Sequence, residues 1–143
     1  MAGAEVDAVT EISDEESWGL LAGAQLGRLA TSIGDDIEMF PVNYVVDHDS
    51  IVFRTAEGSK LFELTVNSRV AFEVDESTGD GGWSVVLHGD AKVLEDEDEI
   101  AHAQTLRLRP WVPTIKTTFV RIVAHRVSGR RFRFGEEPEG WHL

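Results

Sequence analysis

Cationic and hydroxyl side chains come together in the sequence where a strand-like run ends and a short helical pattern begins. Arg54 and Thr55 close a β-branched and aromatic run, and Ser59 and Lys60 open the helix after a glycine turn. Guanidinium, ammonium and hydroxyl groups beside the free amides of a helix start favour a bound anion. The pattern therefore indicates a phosphate site at these four residues. It is equally typical of an ordinary helix start, in which Ser59 serves only as the N-cap.

The rest of the chain must supply a scaffold that holds this cluster, and its patterns are mostly those of strands. The predicted strands cover 28–33, 38–47, 51–54, 69–75, 83–94, 117–125 and 130–134, with Val127-Ser-Gly as a turn between the last two. The predicted helices cover 14–26, 59–66 and 96–108. Period-two alternation supports the strands. Acidic or hydroxyl residues at their starts support the helices, and Ser13 with Glu16 is predicted to cap the first of them as a capping box. Six or seven strands in meander order predict a mainly β fold, an antiparallel barrel with helices covering its openings.

Two residues interrupt these predicted strands. Pro41 has no backbone N–H, so we expect it at a bulge or on a sheet edge, where neighbouring backbone groups are free to meet another molecule. Gly89 lies inside a long strand pattern and predicts a bulge or bend of the kind that turns a barrel corner. Both positions mark places where the ladder of hydrogen bonds is expected to change.

Length and composition indicate one domain. A chain of 143 residues can bury about two-thirds of its unfolded surface in a single core. We predict a flexible N-terminal arm over 1–12, a domain over 13–135 and a C-terminal tail over 136–143. The absence of cysteine excludes disulfides, thiolate metal sites and cysteine nucleophiles. No apolar run approaches the roughly 18 residues of a membrane span and no signal-peptide pattern opens the chain, which predicts a soluble cytoplasmic protein.

Charge is distributed unevenly along the chain. The net charge of −13 disfavours nucleic acid and anionic membranes as partners, because both repel an acidic protein. The segment 103–135 nevertheless holds no Asp or Glu and contains Arg107, Arg109, Lys116, Arg121, Arg126, Arg130, Arg131 and Arg133. These residues either pair with acidic groups within the protein or on a second subunit, or one or two of them serve a bound anion. The carboxylate run 95–99 has no histidine at ligand spacing, so no metal site is predicted.

Five segments, taken in order, resemble the pyridoxamine 5′-phosphate oxidase-like family, in particular its small actinobacterial-type branch. They are Gly27-Arg-Leu-Ala-Thr-Ser, Phe40-Pro-Val-Asn-Tyr-Val-Val, Ile51-Val-Phe-Arg-Thr with Gly58-Ser-Lys, Asn67-Ser-Arg-Val-Ala-Phe and Trp83-Ser-Val-Val-Leu-His-Gly-Asp-Ala. The resemblance covers about 13–134, and its order and spacing are more specific than any single motif. It implies an FMN-binding split β-barrel that acts on a small molecule, in a homodimer with two FMN sites at the subunit interface.

Carried over to this sequence, the resemblance implies three groups of flavin-contacting residues. The first group would run alongside the isoalloxazine ring and consists of Pro41, Val42, Asn43 and Tyr44. The second would hold the ribityl chain and 5′-phosphate and consists of Arg54, Thr55, Ser59 and Lys60. The third would approach from the partner subunit and consists of Trp83 and Ser84. Arg54 and Lys60 are therefore indicated twice, by their own chemistry and by the family pattern.

The activity within the family is left open by the sequence. Met39 and Ser59 stand where pyridoxal-forming oxidases carry a basic residue and an arginine, which argues against oxidation of pyridoxamine phosphate. Related proteins of the small type use the deazaflavin F420, reduce nitroimidazoles or bind haem, and a shared fold does not choose among these. The alternatives are an FMN- or F420-dependent oxidoreductase acting by hydride transfer and a non-catalytic flavin- or haem-binding module.

No catalytic side chain is assigned, because hydride chemistry belongs to the cofactor. His88 and His125 are candidates for proton delivery or haem ligation, although a lone histidine in a strand is more often a packed or surface residue. Tyr44 could donate a hydrogen bond to a substrate, but a tyrosine in an apolar strand is more often part of the core.

Overall fold

An antiparallel sheet of eight strands makes up most of the structure, a computed structural model that describes residues 8–65, 68–108 and 118–136. The strands are β1 (Val9–Ile12), β2 (Leu26–Ile33), β3 (Asp36–Asn43), β4 (Val45–Asp47), β5 (Ser50–Thr55), β6 (Arg69–Ser77), β7 (Gly81–Val93) and β8 (Thr118–Arg133). The helices are α1 (Asp14–Ala22), α2 (Lys60–Thr65) and α3 (Glu97–Thr105). Within these described ranges, no helix has the length and hydropathy needed to cross a bilayer. Residues 1–7 of the predicted arm and the predicted tail beyond 136 lie outside the described residues.

The sheet curls because one stretch of chain belongs to both of its ends. The strand order is β3-β2-β6-β7-β8-β5-β4, so β3 and β4 lie at the two ends of the sheet. Only Tyr44 separates these strands along the chain, and its N–H donates to the carbonyl oxygen of Gln25 at 3.1 Å. The two ends must therefore lie close together, which bends the sheet into an open half-barrel. Since β2 is the only described strand that pairs with β3, Pro41 lies on an edge of the described sheet, as predicted.

Strand β8 is the longest strand, and three others pair with it. Strand β7 runs along most of its length, while β5 and β1 pair with the first and last parts of its other side. The register between β7 and β8 shifts after His88, which lies opposite Arg126, whereas Gly89 lies opposite Ala124. His125 is therefore the additional residue of a β-bulge, and the bulge predicted at Gly89 is confirmed.

The core lies on the concave side of the sheet, and a smaller cluster lies on its outer side. The largest fully buried side chains include Phe53, Phe72, Leu21, Leu29, Ile51, Leu87 and Ile122. On the outer side, Val52 of β5 packs with Leu94, Ala103 and Phe119 beneath α3. Strand β5 is therefore covered on both faces, which explains why apolar residues run through it without alternation.

The helix starts follow the local chemistry of the sequence. The Ser13 hydroxyl oxygen accepts a hydrogen bond from the Glu16 N–H at 3.1 Å and caps α1. Asp96 caps α3 in the same way, through the Glu99 N–H at 3.1 Å. Helices α1 and α3 end at Ala22 and Thr105, four and three residues earlier than predicted, and the predicted last residue of α2, at position 66, lies outside the described residues.

The structure corrects three predictions about strands. Residues 9–12 form β1 rather than part of a flexible arm, because β8 offers them a free side for pairing. The predicted strands over 117–125 and 130–134 are a single strand, β8, since β7 continues to pair with it past the expected turn. The predicted strand over 38–47 is divided at Tyr44, where the chain passes from one end of the sheet to the other.

Gly129 explains why the sequence suggested a turn where none exists. A side chain at this position would collide with the Ser17 hydroxyl and would approach Ile12 Cγ1 to 2.7 Å. The glycine is therefore required by the close packing of α1 and β1 against β8, and not by a change of chain direction.

Replacing Gly89 by alanine is expected to destabilise the fold. A Cβ atom there would collide with the backbone carbonyl oxygen of Val123, which cannot move without disturbing the pairing of β7 with β8. We expect the free energy of unfolding, measured by urea denaturation, to fall by about 2 kcal/mol. Gly19→Ala in α1 is the control, because a Cβ atom there meets nothing within 4 Å. An equal loss of stability in both variants would contradict this explanation of the bulge.

Candidate functional site

Thr55 and Ser59 lie side by side where β5 ends and α2 begins. Their hydroxyl oxygens are 3.0 Å apart, and Thr55 is buried. The Ser59 hydroxyl oxygen also accepts a hydrogen bond from the Phe62 N–H at 3.1 Å. Ser59 therefore caps α2, which confirms the helix-cap interpretation. Its hydroxyl nevertheless stays beside that of Thr55, where β5 ends and α2 begins.

Lys60 has a carboxylate partner within the protein. Its Nζ atom lies 3.0 Å from Oε1 of Glu38, which reaches it from the edge strand β3. The side chain of Lys60 is 65% exposed and that of Glu38 is 38% exposed. The cationic group predicted from the sequence is thus a solvent-accessible ion pair that joins α2 to β3.

Arg54 lies on the opposite face of β5 from Thr55, because successive side chains of a strand alternate. Its guanidinium carbon is 5.2 Å from the centre of the Phe119 ring, within the range of a cation–π contact. It lines a cavity of about 320 Å³ beneath α3, together with Ala103, Gln104, Leu106, Leu108 and Phe119. Within one chain, the structure therefore brings Thr55 and Ser59 together but directs Arg54 to a different surface.

The four residues predicted to run along a flavin ring differ in their exposure. Pro41 is exposed on the edge strand, whereas Val42 belongs to the core. The Asn43 side-chain amide donates to the carbonyl oxygen of Gln25 at 3.2 Å. The Tyr44 hydroxyl is buried and donates to the carbonyl oxygen of Leu21 at 2.6 Å, so this tyrosine is a core residue. Burial raises its pKa, which keeps the hydroxyl protonated as a donor.

Trp83 and Ser84 lie far from this corner in a single chain. They open β7, whereas Val93 at the other end of that strand pairs with Val120, the neighbour of Phe119. Ten residues of strand at about 3.3 Å each give a separation of roughly 30 Å measured along β7. Within one chain, Trp83 and Ser84 therefore lie near the opposite end of β7 from the residues beside Phe119.

A buried polar cluster around Asp47 was missed from the sequence. The carboxylate is 9% exposed, and its Oδ2 atom lies 2.9 Å from Arg121 Nη1 and 3.0 Å from His102 Nε2. Arg121 also donates to the Ser50 hydroxyl at 2.5 Å. Burial alone would raise the pKa of Asp47, but its hydrogen bonds with His102 and Arg121 outweigh burial and hold that pKa below its ordinary value. The cluster fastens α3 to β4, β5 and β8.

Some of the basic residues near the C-terminus pair within the protein, as one interpretation of the sequence expected. Arg121 binds Asp47, and Arg131 Nε donates to Glu16 at 2.7 Å. The only feature of the sequence that indicated such pairing was the lack of acidic residues in that segment, because the partners lie 74 and 115 positions away.

The two histidines considered for chemistry make contacts on the outer face of the sheet. His125 Nε2 lies 2.7 Å from Asp90 Oδ2, which also has Arg69 Nε at 3.6 Å from its other oxygen. The pKa of Asp90 is lowered, chiefly by the hydrogen bond with His125. His88 Nδ1 accepts from Arg126 Nε at 3.3 Å. These contacts place both histidines in polar pairs beside the β-bulge.

Asp47→Asn is expected to lower the free energy of unfolding by about 2 kcal/mol at pH 7, because it leaves Arg121, whose side chain is only 19% exposed, without its counter-charge. The pKa of Asp47 is lowered by folding, so its stabilisation is present above about pH 4 and is lost as the pH falls through the folded-state value. The difference in the free energy of unfolding between wild type and variant, measured by urea denaturation, should therefore become smaller toward pH 3. Asp49→Asn, at an exposed neighbouring position, is the control. A difference independent of pH would contradict the charge effect.

Sequence comparisons relate this chain to a known family and to curated proteins. The family model described as pyridoxamine 5′-phosphate oxidase matches residues 13–131. An uncharacterised protein of Mycobacterium tuberculosis is 40% identical over 95 residues, which cover 66% of this chain and 86% of that protein.

Two solved structures extend the similarity to three dimensions. An FAD-binding protein from Mycobacterium smegmatis is 40% identical, with a TM-score of 0.81 over 87% of this chain and 99% of that one. An FAD-binding protein from Mesorhizobium loti is 25% identical, with a TM-score of 0.70 over 87% and 99% of the two chains. The predicted split β-barrel is therefore confirmed. Because the family model matches most of the chain, the protein belongs to the pyridoxamine 5′-phosphate oxidase family.

Proposed function

We propose that this protein is a flavin-dependent oxidoreductase that binds FAD at an interface between two copies of the chain. The observation that carries the proposal is the 40% identity, over nearly the whole fold, to a protein from Mycobacterium smegmatis described as FAD-binding. The second FAD-binding relative, from Mesorhizobium loti, supports the same cofactor class. FMN, the cofactor implied by the sequence resemblance, contains the same ring system and is the nearest alternative.

The hydrogen-bond donors where β5 ends and α2 begins fit the phosphate end of such a cofactor. Lys60 carries an accessible ammonium group. The Ser59 hydroxyl belongs to the preceding residue, and the Thr55 hydroxyl lies beside it at the end of strand β5. Ammonium and hydroxyl donors are suited to phosphate oxygens. We assign the flavin phosphate to these three residues, and Arg54 to the same ligand where it extends around the outer face of β5.

The edge strand β3 is suited to lie along the flavin ring. Among the described strands it has no partner on its outer side, and Pro41 lies within it. Backbone N–H and C=O groups on such an edge are available to the polar rim of a ring. In this proposal Pro41, Val42 and Asn43 contribute mainly through their backbone, and Tyr44 holds the strand in place from the core.

The chemistry would come from the cofactor, since a bound flavin supplies hydride or electron transfer. The protein residues bind and orient it and limit access of solvent to it. Tyr44, His88 and His125 all have structural contacts, and we assign none of them a catalytic role.

An exposed apolar row on β3 supports the proposed homodimer. Ile37 is 74% exposed and Met39 is 65% exposed, and both share with Pro41 the side of the strand that faces away from the core. Large apolar side chains in such a row on an edge strand are typical of surfaces covered by another chain. A second copy would also bring Trp83 and Ser84 within reach of the flavin.

The cofactor can be identified from purified protein. We expect a flavin absorption spectrum, and we expect heat-released cofactor to co-elute with FAD in chromatography against FAD, FMN and F420 standards. A deazaflavin or haem spectrum would contradict a flavin cofactor, as would a colourless protein that does not bind added FAD or FMN. Reduction of the bound flavin followed by reoxidation with an added electron acceptor would support an oxidoreductase, whereas a flavin that no acceptor reoxidises would indicate a carrier.

Met39→Lys is expected to weaken the dimer by about tenfold or more, because it would place a charge in an apolar interface. Sedimentation equilibrium gives the dissociation constant of the dimer. Val9→Lys is a matched control, since Val9 is also an exposed apolar side chain, 54% exposed on β1 and away from β3. A monomeric wild-type protein, or equal weakening by both substitutions, would contradict the proposed interface.

A further inference from the structure

We propose that Glu38 competes with the flavin phosphate for Lys60 and so sets the affinity of the site for phosphorylated flavins. This inference rests on the proposed function, because it requires the phosphate to bind at Lys60. It goes further by assigning a role to a residue outside the predicted flavin contacts. The contact that carries it is the 3.0 Å approach of Glu38 Oε1 to Lys60 Nζ.

The backbone holds Glu38 at the place where a phosphate would meet Lys60. Glu38 lies opposite Thr31 in the pairing of β3 with β2, and Thr31 is buried beside Val70 on the next strand. Glu38 therefore belongs to the row of side chains that points toward the interior of the half-barrel, at its open end. Its carboxylate reaches α2, 22 positions further along the chain, and occupies one side of the Lys60 ammonium group.

The exposure of the pair allows a ligand to compete with it. Both side chains are accessible to water, and exposed ion pairs of this kind contribute little to folding stability. The pair can open without loss of the fold. The phosphate monoester of FMN and the pyrophosphate of FAD each carry more negative charge than a carboxylate and offer more acceptor oxygens, so either group can displace Glu38 from Lys60. Glu38 then remains close to the phosphate and repels it.

This arrangement makes the effect of Glu38 depend on the ligand. FMN must replace the carboxylate and bind against its repulsion, whereas riboflavin lacks the phosphate and gains nothing by displacing Glu38. Removing the charge at position 38 should therefore strengthen binding of FMN without strengthening binding of riboflavin. A purely structural role for the ion pair would affect both ligands alike.

The test compares dissociation constants of FMN and riboflavin, measured by quenching of flavin fluorescence on the full chain after bound flavin has been removed by dialysis. Glu38→Gln keeps the length of the side chain and one acceptor oxygen while removing its charge. We expect FMN to bind about three- to tenfold more tightly to this variant and riboflavin to bind within about twofold of wild type. The gain should shrink at high salt, because the charges are exposed.

Glu63→Gln is the matched control. Glu63 lies one turn after Lys60 on α2 and is exposed, so the substitution changes the net charge equally while leaving the Glu38 ion pair in place. We expect it to leave the FMN affinity within about twofold of wild type, since charges outside direct contact are screened. An equal gain from both substitutions would overturn the inference, because the effect would then come from net charge.

Lys60→Ala separates the inference from the proposed function. We expect this substitution to weaken FMN binding by about tenfold and to abolish the gain produced by Glu38→Gln in the double variant. If wild type binds FMN but Glu38→Gln leaves the affinity unchanged or lowers it, the inference is overturned while the proposed function stands. If wild type binds no flavin, both are overturned.

Discussion

The passage of the chain from β3 to β4 through Tyr44 is the constraint on which the rest of the fold depends. Because one uninterrupted stretch supplies both ends of the sheet, the strands between them have no flat arrangement available. The hydroxyl of Tyr44 is bonded to the carbonyl oxygen of Leu21, and its ring meets Phe72 edge-on at 5.0 Å. These contacts fix α1 to the curled sheet, so a single buried side chain links the closure of the sheet to the packing of its helix.

The same curvature determines on which surface of the fold each residue predicted to contact a ligand lies. It brings Glu38 of the edge strand to Lys60 of α2 at the open end of the half-barrel. It also directs Arg54 to the outer side beneath α3 and leaves Trp83 at the far end of β7. Within one chain, the predicted ligand contacts therefore lie on separate surfaces of the fold.

The sequence predicted those features that arise from contacts between near neighbours. The cap at Ser13, the edge position of Pro41 and the bulge at Gly89 each follow from the chemistry of one residue in its local pattern. The sequence could not predict the partners of Asp47 or Lys60, because those lie tens of positions away and are chosen by the curvature of the sheet. The turn predicted at Gly129 was wrong for the same reason, because the glycine is needed there for close packing against a distant strand and helix, β1 and α1. Local composition cannot distinguish that use of glycine from a turn.

The pairing of β1 with the last part of β8 has a consequence for synthesis of the chain. Residues 9–12 find their partners at 129–132, and the Arg133 N–H donates to the carbonyl oxygen of Ala8 at 2.9 Å. Among the described strands, β1 leaves the ribosome before β8 by more than a hundred positions, so its backbone groups are not satisfied until β8 has been made. Contacts of such long sequence separation form slowly, since a large loop must close before they are gained. During that interval the growing sheet would expose β1 and the edge it will cover, so this is the stage at which a chaperone would be most useful.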